Sequence, residues 1–475
     1  MIHPLTYLNS GAGDWLIVDG KNAAADCHNW ALKLSEKLIK YGLEDSKPKI
    51  LLLERDKVRI CASIIAAVAA GCPLFLGNPD WEWRERQAVL DMVQPDIIWG
   101  EGDFWSVGLL DRETGRRADG ETVGAGSSLI MIPTGGSSGK VRFAVHSWET
   151  LMASVRGLAA HFQLTQINSC CCLPLYHVSG LMQLLRCFGT GGKLVVLSSY
   201  RDIGGEMGAD VDWGEFFLSL VPTQLHRLLE NGASGAFLSR FQAVLLGGAP
   251  AWDDLLSRSR FAYIPLALTY GMTETASQVA TLKPGEFLAG NNSCGRVLPH
   301  AKITVRTPDG SALGANQTGM ITIEAHSLAR GYYPEFSSRE QDSFTAPEYF
   351  TTDDLGFVDE AGYLYIVGRR SDKIITGGEN VFPAEVEAAI RATGLVQDVG
   401  VLGVSDSDWG QAVVALCIPQ NADISPPQLE KAIAPSLTKY KRPKHWLLVA
   451  SLPRNSQGKL NRQQLQEMAL QHLSV

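Results

Sequence analysis

Ile132-Pro-Thr-Gly-Gly-Ser-Ser-Gly-Lys140 follows directly on the apolar run Ser128-Leu-Ile-Met-Ile132, and the two together decide how the chain is read. Six of the nine residues from Ile132 to Lys140 are Gly, Ser or Thr. The apolar run predicts a buried strand. A strand that opens into such a loop presents backbone N–H groups and hydroxyls, and both suit phosphate oxygens, so a nucleoside triphosphate is the first hypothesis. The pattern GxxxxGK[ST] is not met, because Val141 follows Lys140 and the span Gly135–Gly139 is too short. Taken alone, the loop serves a surface turn equally well.

Outward from the loop, strand-like and helix-like runs alternate. Lys49–Leu53, Leu74–Leu76, Asp96–Trp99 and Leu129–Ile132 read as strands, with helices over Cys61–Ala70 and near Arg84–Met92. This alternation predicts an α/β fold with parallel sheets and flanking helices. The polar, Gly-rich stretch Arg112–Ser127 reads as a surface linker. Phe357–Tyr365 reads as a hairpin turning at Asp359-Glu-Ala-Gly362. Pro383–Ile390 reads as a helix with Pro in its first turn and acids near its positive end.

A length of 475 residues predicts two or more domains. A composition of 45% hydrophobic and 19% charged residues is that of a soluble globular protein, and a net charge of -8 gives no footprint for nucleic acid or acidic membranes. The uncharged stretch Ile60–Leu76 is broken by Gly71 and Pro73, so it reads as a buried helix and strand, not a membrane span. No basic-then-apolar N-terminal segment is present, which predicts no signal peptide. Nine cysteines, three of them consecutive at Cys170–Cys172, argue for a reducing cytoplasm. The triplet lacks metal-ligand spacing and reads as core.

Four further segments follow the loop in order: Leu268-Thr-Tyr-Gly-Met-Thr-Glu-Thr275, Tyr349-Phe-Thr-Thr-Asp-Asp-Leu-Gly356, Gly368-Arg-Arg-Ser-Asp-Lys-Ile-Ile-Thr-Gly-Gly-Glu-Asn380 and Pro453-Arg-Asn-Ser-Gln-Gly-Lys459. Together the five resemble the adenylate-forming superfamily of acyl-CoA synthetases, firefly luciferase and nonribosomal-peptide adenylation domains, over nearly the whole chain from about Lys49. The resemblance implies a large N-terminal domain of mixed sheets with flanking helices, residues 1–370. It also implies a small mobile α+β C-terminal domain, residues 371–475, hinged at Ser371. Such enzymes join a carboxylate to AMP, expel pyrophosphate, and pass the acyl group to a thiol. ATP, Mg2+ and CoA are the implied cofactor and co-substrates.

Residue by residue, the resemblance makes Thr134, Gly135, Gly136, Ser137, Ser138 and Gly139 the phosphate loop, and either Lys140 or Arg142 its basic residue. Glu274 would hold Mg2+, since a hard cation takes a carboxylate oxygen. Tyr270 would stack on adenine, Gly271 and Met272 would line the nucleotide, and Thr273 would reach the α-phosphate. Gly247, Gly248 and Ala249, in Leu246-Gly-Gly-Ala-Pro250, would let adenine lie against the backbone. Asp354 would accept both ribose hydroxyls, with Arg369 a second ribose or phosphate contact. The family's usual Thr-Gly-Asp is Thr352-Asp353-Asp354 here, and since Asp tolerates a left-handed turn better than most residues, the departure reads as harmless. Lys459 would bridge the attacking carboxylate and the α-phosphate. Gly377 and Gly378 would line the pantetheine channel, and Lys439-Tyr-Lys-Arg-Pro-Lys444 would meet CoA phosphates or simply face solvent.

The acid is approached through Leu173-Pro-Leu-Tyr-His-Val-Ser-Gly-Leu-Met-Gln-Leu-Leu-Arg186. His177 matches a family histidine at the acyl pocket. Ser179 and Arg186 are seven apart, so a helix turns both to one side. An arginine in a mostly apolar helix needs an anionic partner. That partner is a second substrate carboxylate or an internal Asp or Glu. The segment is similar to that of the o-succinylbenzoate–CoA ligases of menaquinone and phylloquinone synthesis, as are Val221-Pro-Thr-Gln-Leu-His226 and Gly368-Arg-Arg-Ser-Asp372. Other aryl or acyl-CoA ligases, a freestanding adenylation domain loading a carrier protein, and a ligand-binding relic are the alternatives. The expected partners are small-molecule substrates, with no nucleic acid and no membrane insertion, and a homodimer is left open.

Overall fold

The computed structural model describes residues 2–10, 13–41, 47–100, 105–106, 128–135, 141–204, 211–230, 232–335, 349–454 and 459–473. The expected linker Arg112–Ser127 and most of the phosphate loop, Gly136 to Lys140, lie outside these residues.

Among the described residues the strands form four sheets. In the first, Ile50–Leu52 pairs in parallel with Leu74–Leu76 and Ile97–Trp99, and Leu74–Leu76 pairs in parallel with Leu129–Gly135. Val141–Ser147 then runs back antiparallel to Leu129–Gly135, with Gly331–Tyr333 beside it. The second sheet has a parallel centre of Leu16–Val18, Leu194–Val196, Asn168–Cys171, Phe216–Leu220, Ala243–Leu246 and Leu266–Met272. Leu16–Val18, Leu194–Val196 and Ala243–Leu246 are apolar along their length, as buried parallel strands are. One core joins Ile50, Leu74 and Ile130 of the first sheet to Cys171, Leu194 and Val196 of the second through buried helices such as Lys57–Ala69. Asp56 fixes the start of that helix by accepting the Arg59 N–H at 2.8 Å.

The third sheet is antiparallel: Ala301–Arg306, Gly319–Ala325, Phe350–Val358 and Leu364–Arg369. The expected hairpin is its last pair. Beyond Ile374 a fourth sheet of Ile374–Thr376, Glu379–Val381, Val396–Asp406, Gly410–Pro419 and His445–Leu448 carries helices Pro383–Ala392, Pro426–Ile433 and Arg462–Leu473. It has cores of its own, around Val401, Val413 and Leu429 on one face and Leu402, Leu416 and Leu465 on the other. The expected mixed α/β fold with a smaller C-terminal unit is what the chain forms. All nine cysteines are free thiols, and Cys170 and Cys171 are fully buried in a strand, as the core reading requires. Among the described residues no helix is long and apolar enough to cross a membrane.

Candidate active site

The parallel strands deliver their ends to one place. Leu129–Gly135 carries Thr134 next to its last residue, Ala243–Leu246 runs into Gly247-Gly248, and Leu266–Met272 runs into a tight turn, Thr273–Thr275. Ligands of open α/β sheets collect at such carboxyl ends. Gly271 must be glycine here, because a Cβ would lie 2.0 Å from the Ser277 carbonyl oxygen across an irregular register.

Glu274 is not a solvated cap. Its Oε1 accepts the Tyr332 hydroxyl at 2.8 Å and the Thr134 hydroxyl at 3.4 Å. Among the described residues Oε2 has no hydrogen-bond partner, so a hard acceptor remains available. No group of three or more metal-ligating side chains exists among the described residues. One carboxylate fits Mg2+ held chiefly by substrate phosphates and water. The turn is braced from below. His146 Nε2 lies 2.8 Å from the Thr273 carbonyl oxygen, which only accepts, so that nitrogen carries the proton. Burial pushes the His146 pKa down to about 4, so the ring is neutral.

Asp354 Oδ2 accepts the Tyr270 hydroxyl at 2.8 Å, and Arg369 Nε lies 3.3 Å from Oδ1. Tyr270 is buried with 8% exposure, and its best-defined act is to hold Asp354. Met272 is partly buried and packs against the same core as Tyr270. The tolerance of Asp353 for a left-handed turn is not called upon. Asp353 lies inside the strand Phe350–Val358 and has no positive φ. Its carboxylate instead accepts the Ser371 N–H at 3.1 Å and pairs with Arg370 Nε at 3.4 Å. A glycine there would leave both groups to water.

Lys459 reaches this site from the C-terminal unit. A Cβ placed on Gly248, whose φ is +81°, would lie 3.4 Å from Lys459 Cε. Burial and then Arg369 lower the Lys459 pKa, while Glu274 and Asp354 oppose them. His177 caps the helix Val178–Thr190 without a side-chain cap bond, and its ring has no hydrogen bond among the described residues. Burial first, then Lys459, push its pKa down to about 4. The structure therefore gathers Thr134, Gly248, Glu274, Asp354, Arg369, His177 and Lys459. Gly377 and Gly378 sit apart, at an exposed two-residue hairpin turn with φ of +59° and +82°. That turn alone demands glycine. Next to it, Lys444 lies 3.6 Å from the centre of the Trp409 ring, while Lys441 pairs with Glu385.

A buried polar cluster surrounds Arg186. Arg186, 2% exposed, donates through Nη2 to Ser277 Oγ at 3.1 Å and to Gln278 Oε1. No Asp or Glu pairs with it among the described residues. Burial brings its pKa down to about 10. Arg186 Nε, Gln183 Oε1 and Gln278 Nε2 are buried without hydrogen-bond partners among the described residues. Such atoms call for a ligand or water. Ala276 and Ser277 are both left-handed, at φ 52° and 84°, a strained pair that turns Ser277 and Gln278 to the arginine. Ser179 lies on the same helix, but its hydroxyl makes no hydrogen bond among the described residues. Sequence reading missed Tyr332, His146, Ser277 and Gln278. Ser277 and Gln278 follow the Glu274 motif immediately, and that position was the available signal.

The model of the AMP-binding enzyme family matches residues 25–333, and that of the AMP-binding enzyme C-terminal domain matches residues 385–459. The chain belongs to the AMP-binding enzyme family. Among members of that family, it is 33% identical to the 2-succinylbenzoate–CoA ligase of Bacillus cytotoxicus over 431 residues, 88% of each chain. A solved o-succinylbenzoate CoA synthetase from Bacillus subtilis, in complex with the acyl-adenylate intermediate OSB-AMP, superimposes with a TM-score of 0.82 at 26% identity, covering 98% of each chain. The same synthetase in complex with ATP and magnesium ion gives 0.81 at 25% identity, covering 98% of this chain and 99% of that one.

Proposed function

We propose that the protein is an ATP-dependent acid–CoA ligase that converts o-succinylbenzoate to o-succinylbenzoyl-CoA, a step of quinone biosynthesis. Lys459 seated against Gly248, beside Glu274, Asp354 and His177, carries the reading of the chemistry. Arg186, buried with neutral partners only, carries the reading of the acid.

In the first step the substrate carboxylate attacks the α-phosphorus of ATP, and pyrophosphate leaves with the bonding pair. Lys459 bridges the incoming carboxylate oxygen and the α-phosphate, and Thr134 and the phosphate loop hold the departing oxygens. Bound at Glu274, Mg2+ would neutralise phosphate charge. Asp354, fixed by Tyr270 and Arg369, accepts from the ribose hydroxyls, and the Gly247–Ala249 backbone borders adenine. The neutral His177 ring holds the reacting carboxyl group without adding a charge. Arg186 and Ser179 hold the aromatic carboxylate, which does not react.

In the second step the CoA thiolate displaces AMP. The C-terminal unit, residues 371–475, turns at Ser371, withdraws Lys459 and brings Gly377 and Gly378 to the pantetheine arm. Lys444 on Trp409 would then meet a CoA phosphate. The reaction fits a cytoplasmic enzyme with small-molecule partners, acting alone or as a homodimer. Pyrophosphate release from ATP and Mg2+ with o-succinylbenzoate, followed by thioester formation with free CoA, is the test. Release with other acids but not this one would move the assignment to another aryl or acyl-CoA ligase. Thioester formation only on a carrier-protein thiol would make it a loading enzyme.

A further inference from the structure

We infer that Tyr332 is a positioning residue for the cation site: its hydroxyl orients the Glu274 carboxylate and its ring seats Arg142 at the edge of the phosphate loop. The inference rests on the reading that Glu274 takes the cation. Tyr332 lies on the short strand Gly331–Tyr333, which pairs antiparallel with Val141–Ser147 as that strand leaves the loop. The Tyr332 hydroxyl donates to Glu274 Oε1 at 2.8 Å. Thr134, at the other end of the loop, donates to the same oxygen at 3.4 Å. Both donors act on Oε1, so the carboxylate is held by one oxygen while the other is offered. Over the ring, the Arg142 guanidinium lies 4.4 Å from the centroid, and its Nη2 pairs with Glu335 at 3.1 Å. One side chain thus ties a carboxylate for the cation to an arginine for the phosphates. Groups that hold a metal ligand from behind typically change metal affinity by about 10–100-fold when removed.

The test is the dissociation constant of Mn2+ from the enzyme·ATP complex, read from the free Mn2+ signal in electron paramagnetic resonance. Tyr332→Phe keeps the ring under Arg142 and removes the donor. It should weaken Mn2+ by about tenfold, while ATP affinity measured in EDTA changes less than about twofold. Tyr332→Leu should weaken Mn2+ similarly and also weaken inhibition by pyrophosphate, because Arg142 loses its seat. If the Phe variant does not fold, Tyr332→Leu decides the matter, because unchanged Mn2+ affinity in that variant overturns the inference as well. Unchanged Mn2+ affinity in Tyr332→Phe, or an equal loss of metal-free ATP affinity, overturns the inference. Glu274→Gln separates the two readings. If it leaves Mn2+ affinity intact, Glu274 is not the cation ligand and both readings fall. If it weakens Mn2+ while Tyr332→Phe does not, only the role of Tyr332 falls.

Discussion

Lys459 and Arg186 are both cations in places that disfavour charge, and under the proposed function each meets a substrate anion. Burial lowers both pKa values. Lys459→Ala should slow adenylation by roughly 10²–10³ and leave thioester formation from supplied acyl-adenylate nearly unchanged. Equal slowing of the two half-reactions would remove the lysine from the first step. Arg186→Ala should cost about 2–5 kcal/mol in kcat/KM for o-succinylbenzoate, and much less for an analogue whose ring carboxylate is neutral. Comparing both substrates across both enzymes closes a double-mutant cycle, and an equal loss would make Arg186 structural. Two buried histidines and a partly buried one set a pH limit. His146, His177 and His300 are all pushed down to about 4, chiefly by burial. Between about pH 6.5 and 4 the unfolded chain takes up protons that the folded chain does not, so stability falls as pH falls through that window, by up to about 3 kcal/mol per group. Urea titrations at several pH values should show this decline, with a slope shallower by about one proton in His146→Gln. An unchanged slope would mean that His146 is not held neutral.

The elements that carry the site were legible because each motif is continuous in the chain. The strand Leu74–Leu76 falls where its apolar run predicts, and the Pro383 helix starts at its proline. The contacts between motifs were not legible. Tyr332 is 58 positions from Glu274, and Tyr270 is 84 from Asp354. No local period encodes such pairings, since the sheet order creates them. Asp353 shows the same limit, because sequence offered only its backbone tolerance and the fold gave its side chain a task. Arg370 N–H donates to the Asp353 carbonyl at 2.8 Å, and Ser371 N–H donates to its carboxylate at 3.1 Å. The chain is pinned to the third sheet as far as the Ser371 nitrogen. The next bond is N–Cα of Ser371, inside a turn that the Lys373 N–H closes on the Arg370 carbonyl at 3.3 Å, and it is where the hinge is proposed. Ser371→Pro fixes that bond and removes the N–H, and should leave one half-reaction while abolishing the other. Asp353→Ala only loosens an exposed anchor, and should change either half-reaction by no more than about threefold. Normal turnover in Ser371→Pro would place the hinge elsewhere.

At the scale of the whole molecule, the proposed first step needs the C-terminal unit docked so that Lys459 stays against Gly248. The docking has an identifiable contact. The Arg391 guanidinium, on the helix Pro383–Ala392, lies 5.1 Å from the centre of the Trp252 ring. Trp252 caps the helix Asp253–Phe261 and follows the Gly247–Ala251 segment that makes room for Lys459. His226 steadies the indole edge-on at 5.4 Å. Arg391 is also paired with Asp398 at 3.3 Å inside its own unit, so losing the indole leaves no unpaired charge. The contact is partly exposed and is worth about 0.5–1 kcal/mol. Under the proposed rotation at Ser371 the two helices would separate, and that energy would then favour the docked arrangement only. Trp252→Ala should therefore lower the adenylation rate about two- to fivefold while thioester formation from supplied acyl-adenylate holds or rises. Pyrophosphate release and CoA consumption, measured separately, give the ratio. If both half-reactions fall by the same factor, Trp252 serves general stability and docking depends on other contacts. If adenylation alone falls, the closed arrangement is stabilised by a contact remote from the reacting atoms, and the balance between the two half-reactions can be tuned there without touching Lys459.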